Sequence, residues 1–156
     1  MPEPKMEDLE SIDAILRAYY ESVSFAPGRL PDYARLRRLF HSRARITPPR
    51  PDDRTVAEVL ELSSFLERSR SLISGSELGR TGFSQRELFR SVEAFGNTAH
   101  VFSTYESAVG SEAQPFERGI NSIQLLKQGH GWCILSMMWE IERRDLKIPP
   151  QYMRPD

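Results

Sequence analysis

Residues Phe116 to Ile141 read FERGINSIQLLKQGHGWCILSMMWEI, and this stretch decides the fold. Two runs rich in β-branched and aromatic residues lie on either side of Gln128-Gly129-His130-Gly131, and neither run contains a proline. The pattern predicts a β-hairpin, because glycine supplies the positive φ that a tight turn requires.

Counting outward from a loop of these four residues predicts how the two strands pair. Asn121 would lie opposite Met138, and Ile123 opposite Ser136. Cross-strand partners share a face of the sheet. One predicted face therefore carries Asn121, Ile123, Leu125, Ile134, Ser136, Met138 and Glu140. The other face is also apolar, so we expect helices to cover one face and a second copy of the chain to cover the other.

The composition is that of one globular domain. The chain has 156 residues, of which 39% are hydrophobic and 28% charged, and its formal net charge is -1. This charge predicts no nucleic-acid partner and no attraction to a membrane, and no apolar run approaches the ~20 residues of a membrane span. We expect a single domain over residues 1–156, with extended termini at 1–7 and 147–156.

Cysteine and histidine usage limits the chemistry. Cys133 is the only cysteine, so no internal disulfide can form, and its neighbours Trp132 and Ile134 predict a buried thiol. The acidic N-terminus lacks the apolar core of a secretory signal, and we therefore expect a cytoplasmic protein. The chain has three histidines, at positions 41, 100 and 130. Their spacing is not that of a metal site, so neither a metal nor another cofactor is expected.

Three helices are predicted ahead of the sheet. Apolar residues recur at helical spacing between Asp8 and Ser24, and a short second helix follows Pro31-Asp32. Thr55 and Glu58 have the spacing of a capping box, which predicts a third helix from Thr55 to about Arg70. Its predicted inward side chains are Val56, Val59, Leu62 and Leu66.

Strands are predicted after the helices, with one short strand before the third helix. That strand covers Arg43 to Thr47. Longer runs at Phe83–Phe95 and Thr98–Val109 flank the turn pair Gly96-Asn97, and the hairpin described above follows them. The segregated order predicts an α+β fold in which three N-terminal helices pack on a curled antiparallel sheet.

The amino-acid sequence of the second half of the chain resembles that of a known family. Arg90–Glu106 (RSVEAFGNTAHVFSTYE), Arg118–Leu125 (RGINSIQL) and Trp132–Trp139 are similar to the nuclear transport factor 2-like superfamily, an α+β cone with a cystatin-like fold. Within it they resemble an uncharacterised bacterial branch near the SnoaL-like cyclases. The resemblance implies a conical pocket between the helices and the sheet, and a homodimer formed through the outer surface of the sheet.

Enzymes of this superfamily include ketosteroid isomerase, scytalone dehydratase, limonene epoxide hydrolase and polyketide cyclases. They place Asp, Tyr or His side chains in an apolar cone, where desolvation shifts the pKa toward neutrality. Tyr19 matches the first-helix tyrosine of the isomerase pattern. At the place of the isomerase's aspartate the chain reads Thr47-Pro48, and the last strand has Ser136 and Met138 where several relatives carry histidines.

These residues define a candidate site. His100 lies in a strand close to Glu106 and is an acid/base candidate, as is Glu140, while Tyr19 would donate a hydrogen bond to the substrate. For each residue a purely structural role is the alternative. The predicted ligand pocket adds Tyr33, Asn121, Ser136 and Met138.

Two functional hypotheses follow. In the first, the cone holds a small, mostly apolar molecule, and a reaction on it would be a cofactor-independent isomerisation, dehydration or cyclisation. In the second, the cone is filled by its own side chains, and the protein is a non-catalytic dimeric interaction or adaptor module. The missing carboxylate at Thr47-Pro48 and the missing histidine pair favour the second.

Overall fold

The computed structural model describes residues 6–110 and 114–153. Within these ranges the chain forms four α-helices and six β-strands, with 3₁₀ helices at Met6–Leu9 and Pro150–Tyr152. The α-helices are α1 (Ile12–Val23), α2 (Tyr33–Leu39), α3 (Leu62–Ser74) and α4 (Leu78–Thr81). The strands are β1 (Phe40–Thr47), β2 (Leu60–Glu61), β3 (Phe83–Phe95), β4 (Thr98–Val109), β5 (Glu117–Gln128) and β6 (Gly131–Ile141). None of the helices in the described part of the chain is long and apolar enough to cross a membrane.

The strands form one curled sheet in the order β2-β1-β6-β5-β4-β3. β1 pairs with β6 in parallel, and the other neighbours pair antiparallel, so the sheet is mixed rather than wholly antiparallel. The helices pack on one face, here called the inner face, and the opposite face is the outer face. The inner-face core includes Ile15, Leu16, Leu39, Ile46, Val101, Ile123 and Met137. The predicted α+β architecture is confirmed.

The first two helices begin at side-chain caps. The Ser11 hydroxyl accepts a hydrogen bond from the Ala14 amide at 3.0 Å, and the Asp32 carboxylate accepts one from the Arg35 amide at 3.0 Å. Each bond satisfies one of the amides that a helix start leaves without a partner. α1 buries Ile15, Leu16 and its neighbours against the sheet.

The predicted start of the third helix at Thr55 is wrong. α3 begins at Leu62, and Val56 and Val59 are exposed, although Leu62 and Leu66 point inward as expected. The Asp52 carboxylate instead accepts hydrogen bonds from the Arg54 and Thr55 amides and from the Thr55 hydroxyl. These bonds lower the pKa of Asp52, the Thr55 hydroxyl contributing most, and they stabilise a turn where a helix was expected.

The β3–β4 hairpin has the predicted bounds, Phe83–Phe95 and Thr98–Val109. Gly96 takes a positive φ of 60° in the two-residue turn between the strands. The alternation in β4 buries Ala99 and Val101 on the inner face and exposes His100 and Phe102 on the outer face.

The β5–β6 hairpin follows the predicted pairing near its turn and departs from it past Leu135. Close to the turn the predicted register holds, with Leu125 opposite Ile134, although the loop contains two residues rather than four. Gln124 then pairs with Ser136, so Leu135 is an extra residue, a β-bulge. Past the bulge Asn121 lies opposite Trp139, and Ser122 opposite Met138. The predicted shared face is therefore wrong: Asn121 and Ile123 lie on the inner face, whereas Ser136, Met138 and Glu140 lie on the outer face.

The turn of this hairpin is held against the N-terminal 3₁₀ helix. Gly131 has a φ of 116°, and a Cβ added there would overlap the backbone carbonyl of Leu9. We expect Gly131→Ala to lower the free energy of unfolding by about 2–5 kcal/mol, from backbone strain and overpacking together. Gly129→Ala in the same turn is the matched control, because its Cβ would meet nothing within 4 Å. Urea unfolding measures both, and equal effects would contradict this account of the turn.

Candidate functional site

A chain of buried polar side chains joins α1 to the inner face of the sheet. The Tyr20 hydroxyl lies 2.6 Å from the Ser103 hydroxyl, and the Asn121 amide donates to Tyr20 at 3.0 Å. Ser103 in turn donates to the Glu87 carboxylate at 2.5 Å. Tyr20, Ser103 and Asn121 are all buried. These contacts attach the first helix to three successive strands.

The ends of this chain fix the direction of every hydrogen bond in it. The Asn121 nitrogen can only donate, and the Glu87 carboxylate, which is paired with Arg90, accepts. Tyr20 therefore accepts from Asn121 and donates to Ser103, which donates to Glu87. Each hydroxyl proton is used once, so both hydroxyl donors are satisfied within the protein.

Charged groups continue the chain to the protein surface. The Glu87 carboxylate accepts from Arg90 Nε at 2.8 Å and from Arg90 Nη2 at 2.6 Å, and Arg90 also pairs with Asp13. A depression of about 380 Å³ opens here, and its lining residues are Arg17, Tyr20, Glu21, Ser24, Gln85, Arg86, Glu87 and Arg90. Its charged groups are largely paired with one another or with neighbouring residues.

The electrostatics of this chain favour structure over proton transfer. Burial raises the pKa of Tyr20 above its ordinary value, although its hydrogen bonds with Ser103 and Asn121 oppose the shift. Tyr20 therefore stays neutral at physiological pH. Both oxygens of Glu87 are hydrogen-bonded and Arg90 pairs with its charge, which favours a structural role for this carboxylate.

The structure does not bring the three predicted catalytic residues together. Tyr19 is sealed in the core, where burial raises the pKa of its hydroxyl. His100 lies on the outer face with Nε2 2.8 Å from Glu93 Oε1, and more than half of its side chain is exposed. Glu140 also lies on the outer face, exposed, with an oxygen 3.5 Å from Arg143 Nη1. His100 and Glu140 are thus separated from Tyr19 by the sheet.

The predicted pocket residues are also dispersed. The Tyr33 hydroxyl lies 3.0 Å from the Ser69 hydroxyl, and the Arg70 guanidinium lies 4.9 Å from the centre of the Tyr33 ring. Asn121 belongs to the buried polar chain, whereas Ser136 and Met138 lie on the outer face because of the bulge at Leu135. Cys133 is buried as predicted, and burial raises the pKa of its thiol.

Sequence reasoning missed Tyr20, Ser103 and Glu87. Tyr19 and Tyr20 are adjacent and both buried, so helical spacing alone does not decide which of the two reaches the sheet. For Ser103 a signal was present: it alternates with Val101 and Tyr105 along β4, which places it on the apolar face. A serine on that face predicts a buried hydrogen-bond partner.

The outer face carries an apolar groove. Its volume is about 360 Å³, and its lining residues are Phe102, Ile120, Ser122, Met138, Trp139, Glu140, Ile141, Glu142, Leu146, Lys147, Ile148 and Pro149. One wall is the C-terminal strap, defined here as residues 146–153. The Glu142 carboxylate accepts from the Ile148 amide at 2.9 Å, and Thr104 donates to the Tyr152 carbonyl at 2.6 Å. The Tyr152 ring meets the Phe102 ring edge-on at 5.4 Å.

A second apolar cleft lies on the helix side of the sheet. Its volume is about 200 Å³, and its lining residues are Val23, Phe25, Pro31, Leu36, Phe65, Ser69, Ile73, Leu78 and Phe83. The hydroxyl of Ser69, its one polar lining side chain, is hydrogen-bonded to Tyr33. The cleft can therefore accept an apolar group but offers little to orient a polar one.

Comparison with known proteins identifies the fold class. No protein-family model matches the chain, and no curated protein matches it. Among solved structures, an NTF2-like protein of unknown function from Pseudomonas putida KT2440 superposes with a TM-score of 0.64 at 11% identity, covering 82% of this chain and 82% of that one. The architecture is thus shared with NTF2-like proteins.

Two further structures carry names that refer to a role. One, from Streptomyces avermitilis, is named as a candidate dehydratase from the NTF2-like family; it has a TM-score of 0.60 and 15% identity, over 85% of this chain and 94% of that one. The other, from Exiguobacterium sibiricum, is named as a candidate Ca/calmodulin-dependent kinase II association domain, with a TM-score of 0.55 and 13% identity over 86% and 92%. The chain has the nuclear transport factor 2-like fold.

Substitution of two adjacent tyrosines tests whether the buried polar chain stabilises the fold. Tyr20→Phe leaves the Asn121 amide without its acceptor in the core, and we expect the free energy of unfolding to fall by about 1–3 kcal/mol. Tyr19→Phe is the control, because the Tyr19 hydroxyl has no hydrogen bond within the described part of the chain; we expect less than about 0.5 kcal/mol. Denaturant unfolding of both variants measures the difference, and a neutral Tyr20→Phe would contradict the buried chain.

Proposed function

We propose that this protein is a dimeric interaction module whose outer sheet face binds a second copy of the chain. One observation carries the proposal: the outer face exposes large apolar side chains, while the centre of the inner face, at Ile123, Met137 and Tyr105, is closely packed. Met138 is 51% exposed and Phe102 40% exposed, although both lie within regular strands. The core beneath the helices contains fully buried Ile123, Met137 and Tyr105 instead of an open cone.

The energetics favour association at the outer face. Burying exposed apolar surface contributes about 25 cal/mol per Å², and an apolar patch within a sheet is characteristic of an interaction site. The groove is flanked by Glu140, Glu142 and Lys147, and Arg143 lies beside them. Charges of both signs around an apolar strip suit a surface that meets its own copy. The Exiguobacterium sibiricum structure, named for association, supports an assembly role for this fold.

Introducing a charge into the apolar strip tests the proposal. We expect Met138→Arg to weaken the dimer by about 100-fold or more, because a charged guanidinium would lose its water within the apolar strip. Leu72→Arg is the matched control: Leu72 is 67% exposed but lies on α3, on the opposite side of the sheet. Native mass spectrometry across a concentration series gives the dimer fraction of each. A wild-type chain that is monomeric throughout would refute the dimeric module.

A second candidate function is binding of a small apolar molecule in the cleft between α1, α3 and α4. It is favoured by the almost wholly apolar lining around Leu36, Phe65 and Phe83. The Streptomyces avermitilis structure, named as a candidate dehydratase, is consistent with a small-molecule substrate for a protein of this fold. A reaction there would need polar groups beyond Ser69.

Filling the cleft tests this second function. Indole is a suitable probe, being flat, apolar and small. We expect indole to raise the thermal unfolding temperature of the wild type and to have no effect on Ile73→Trp, because the new ring occupies the cleft. Leu72→Trp, at the exposed neighbouring position, should keep the wild-type response. An indole response that survives in Ile73→Trp would place the ligand elsewhere.

A further inference from the structure

Positive charge is concentrated in the stretch of sequence between Asp32 and Asp52. This stretch contains six arginines and no lysine, aspartate or glutamate. The formal net charge of the whole chain is -1, so the stretch carries +6 and the remaining residues together carry -7. A charge asymmetry of this size within one domain indicates a surface that attracts anionic groups.

Three of the six arginines have carboxylate partners within the protein. The pairs are Arg35 with Asp8 and Glu21, Arg45 with Glu61, and Arg50 with Asp53. The other three, Arg37, Arg38 and Arg43, are exposed, and none has a carboxylate oxygen within 4.0 Å in the described part of the chain. These three side chains are called the arginine patch below.

A bulge in β1 positions Arg43. Between two successive pairings with β6, β1 has four residues, at positions 41–44, where β6 has one. Extra residues on one strand bend it away from its neighbour. The Arg43 amide donates to Nδ1 of His41 at 3.0 Å, which satisfies a backbone group inside the bulge. Arg43 is thereby held at the sheet surface, close to the start of β1.

The last turn of α2 supplies the other two arginines. Arg37 and Arg38 lie in this turn, and β1 follows the helix end at Leu39 without a loop. Cations are favoured at a helix C-terminus by the helix dipole, but this effect does not extend to Arg43 on the strand. Arg37 Nη1 lies 3.4 Å from the Ser63 hydroxyl, a neutral contact that leaves the guanidinium charge without a counter-charge.

The side-chain chemistry of the patch suits carboxylates. A guanidinium presents its N–H groups as a planar fork that matches the two oxygens of a carboxylate. Binding sites for nucleic acid strands combine positive charge with exposed aromatic rings on which bases stack. Phe40 is the one Phe, Tyr or Trp residue between Arg37 and Arg43, and it is buried. The negative remainder of the chain also disfavours a long polyanion, whereas a short acidic segment can contact the patch alone.

We infer that the arginine patch binds an acidic peptide segment of a partner protein. Each contact joins exposed charges, so the binding is moderate in strength and falls as salt is added. The patch lies where α2 meets β1, whereas the proposed dimer uses the apolar strip around Phe102 and Met138. This binding therefore goes beyond the proposed dimer and does not require it.

A fluorescein-labelled hexaglutamate peptide is the probe, and fluorescence anisotropy measures its Kd. We expect the wild type to bind the peptide, with a Kd that rises as NaCl is increased from about 20 mM to about 150 mM. At about 100 mM NaCl, where distant charges are screened, Arg37→Gln/Arg38→Gln/Arg43→Gln should raise the Kd about tenfold or more, because three ion pairs are lost. Glutamine removes the charge and keeps a high helix propensity.

The triple variant Arg80→Gln/Arg143→Gln/Arg144→Gln is the matched control. It removes the same charge from exposed positions on α4 and after β6, and its Kd should stay within about twofold of wild type. A wild type that does not bind the peptide, a patch variant that binds like wild type, or a control variant that loses as much binding overturns the inference.

Hexathymidylate with the same label tests the other class of partner. We expect it to bind more weakly than hexaglutamate, because the patch offers no exposed Phe, Tyr or Trp ring for its bases. Tighter binding of hexathymidylate that is lost in the patch variant would identify a nucleic acid site and overturn the acidic-peptide assignment. The dimer fraction from native mass spectrometry is a separate measurement, so failure of this inference leaves the proposed dimer standing.

Discussion

The β-bulge at Leu135 determines which side chains of the last strand face the helices. One extra residue in β6 shifts its pairing with β5, so that Met137 and Trp139 point inward while Ser136 and Met138 point outward. Because side chains alternate along a strand, one inserted residue exchanges the two faces for the rest of the strand. The fully buried Met137 and the exposed Met138, adjacent in sequence, are both consequences of this bulge.

The inner face depends on this assignment. Past the bulge Asn121 pairs with Trp139 and points toward α1, where it donates to Tyr20. The chain of bonds through Ser103 to Glu87 then fixes the first helix across β3, β4 and β5. A bulge-free β6 would bring Met138 to the position opposite Asn121 and would turn Met137 to the outer face in its place. The polar core and the apolar outer surface are therefore linked through one backbone irregularity.

Much of the fold could be predicted because its signals are local. Alternating residues and the Gly96-Asn97 turn gave the bounds of β3 and β4, and the apolar runs gave the last hairpin. The bulge could not be predicted, since Leu135 has apolar neighbours and fits either face equally well. The start of α3 was misassigned because the Thr55–Glu58 spacing matches a capping box, whereas Glu58 in fact pairs with Arg68 at 2.8 Å. The candidate site was predicted from the strand register. Because that register lacked the bulge at Leu135, it placed Ser136, Met138 and Glu140 on the wrong face.

The two faces differ in what a new contact would cost. Ligand entry between α1 and the sheet would have to break buried hydrogen bonds around Tyr20 and Ser103, and each buried group left unpaired costs about 1–3 kcal/mol. Contact at Phe102 and Met138 breaks no bond of the protein and removes apolar surface from water. The closed packing of the inner face and the exposed apolar side chains of the outer face thus both favour contact at the outer face over entry between α1 and the sheet. Of these two routes, contact at the outer face is the less costly.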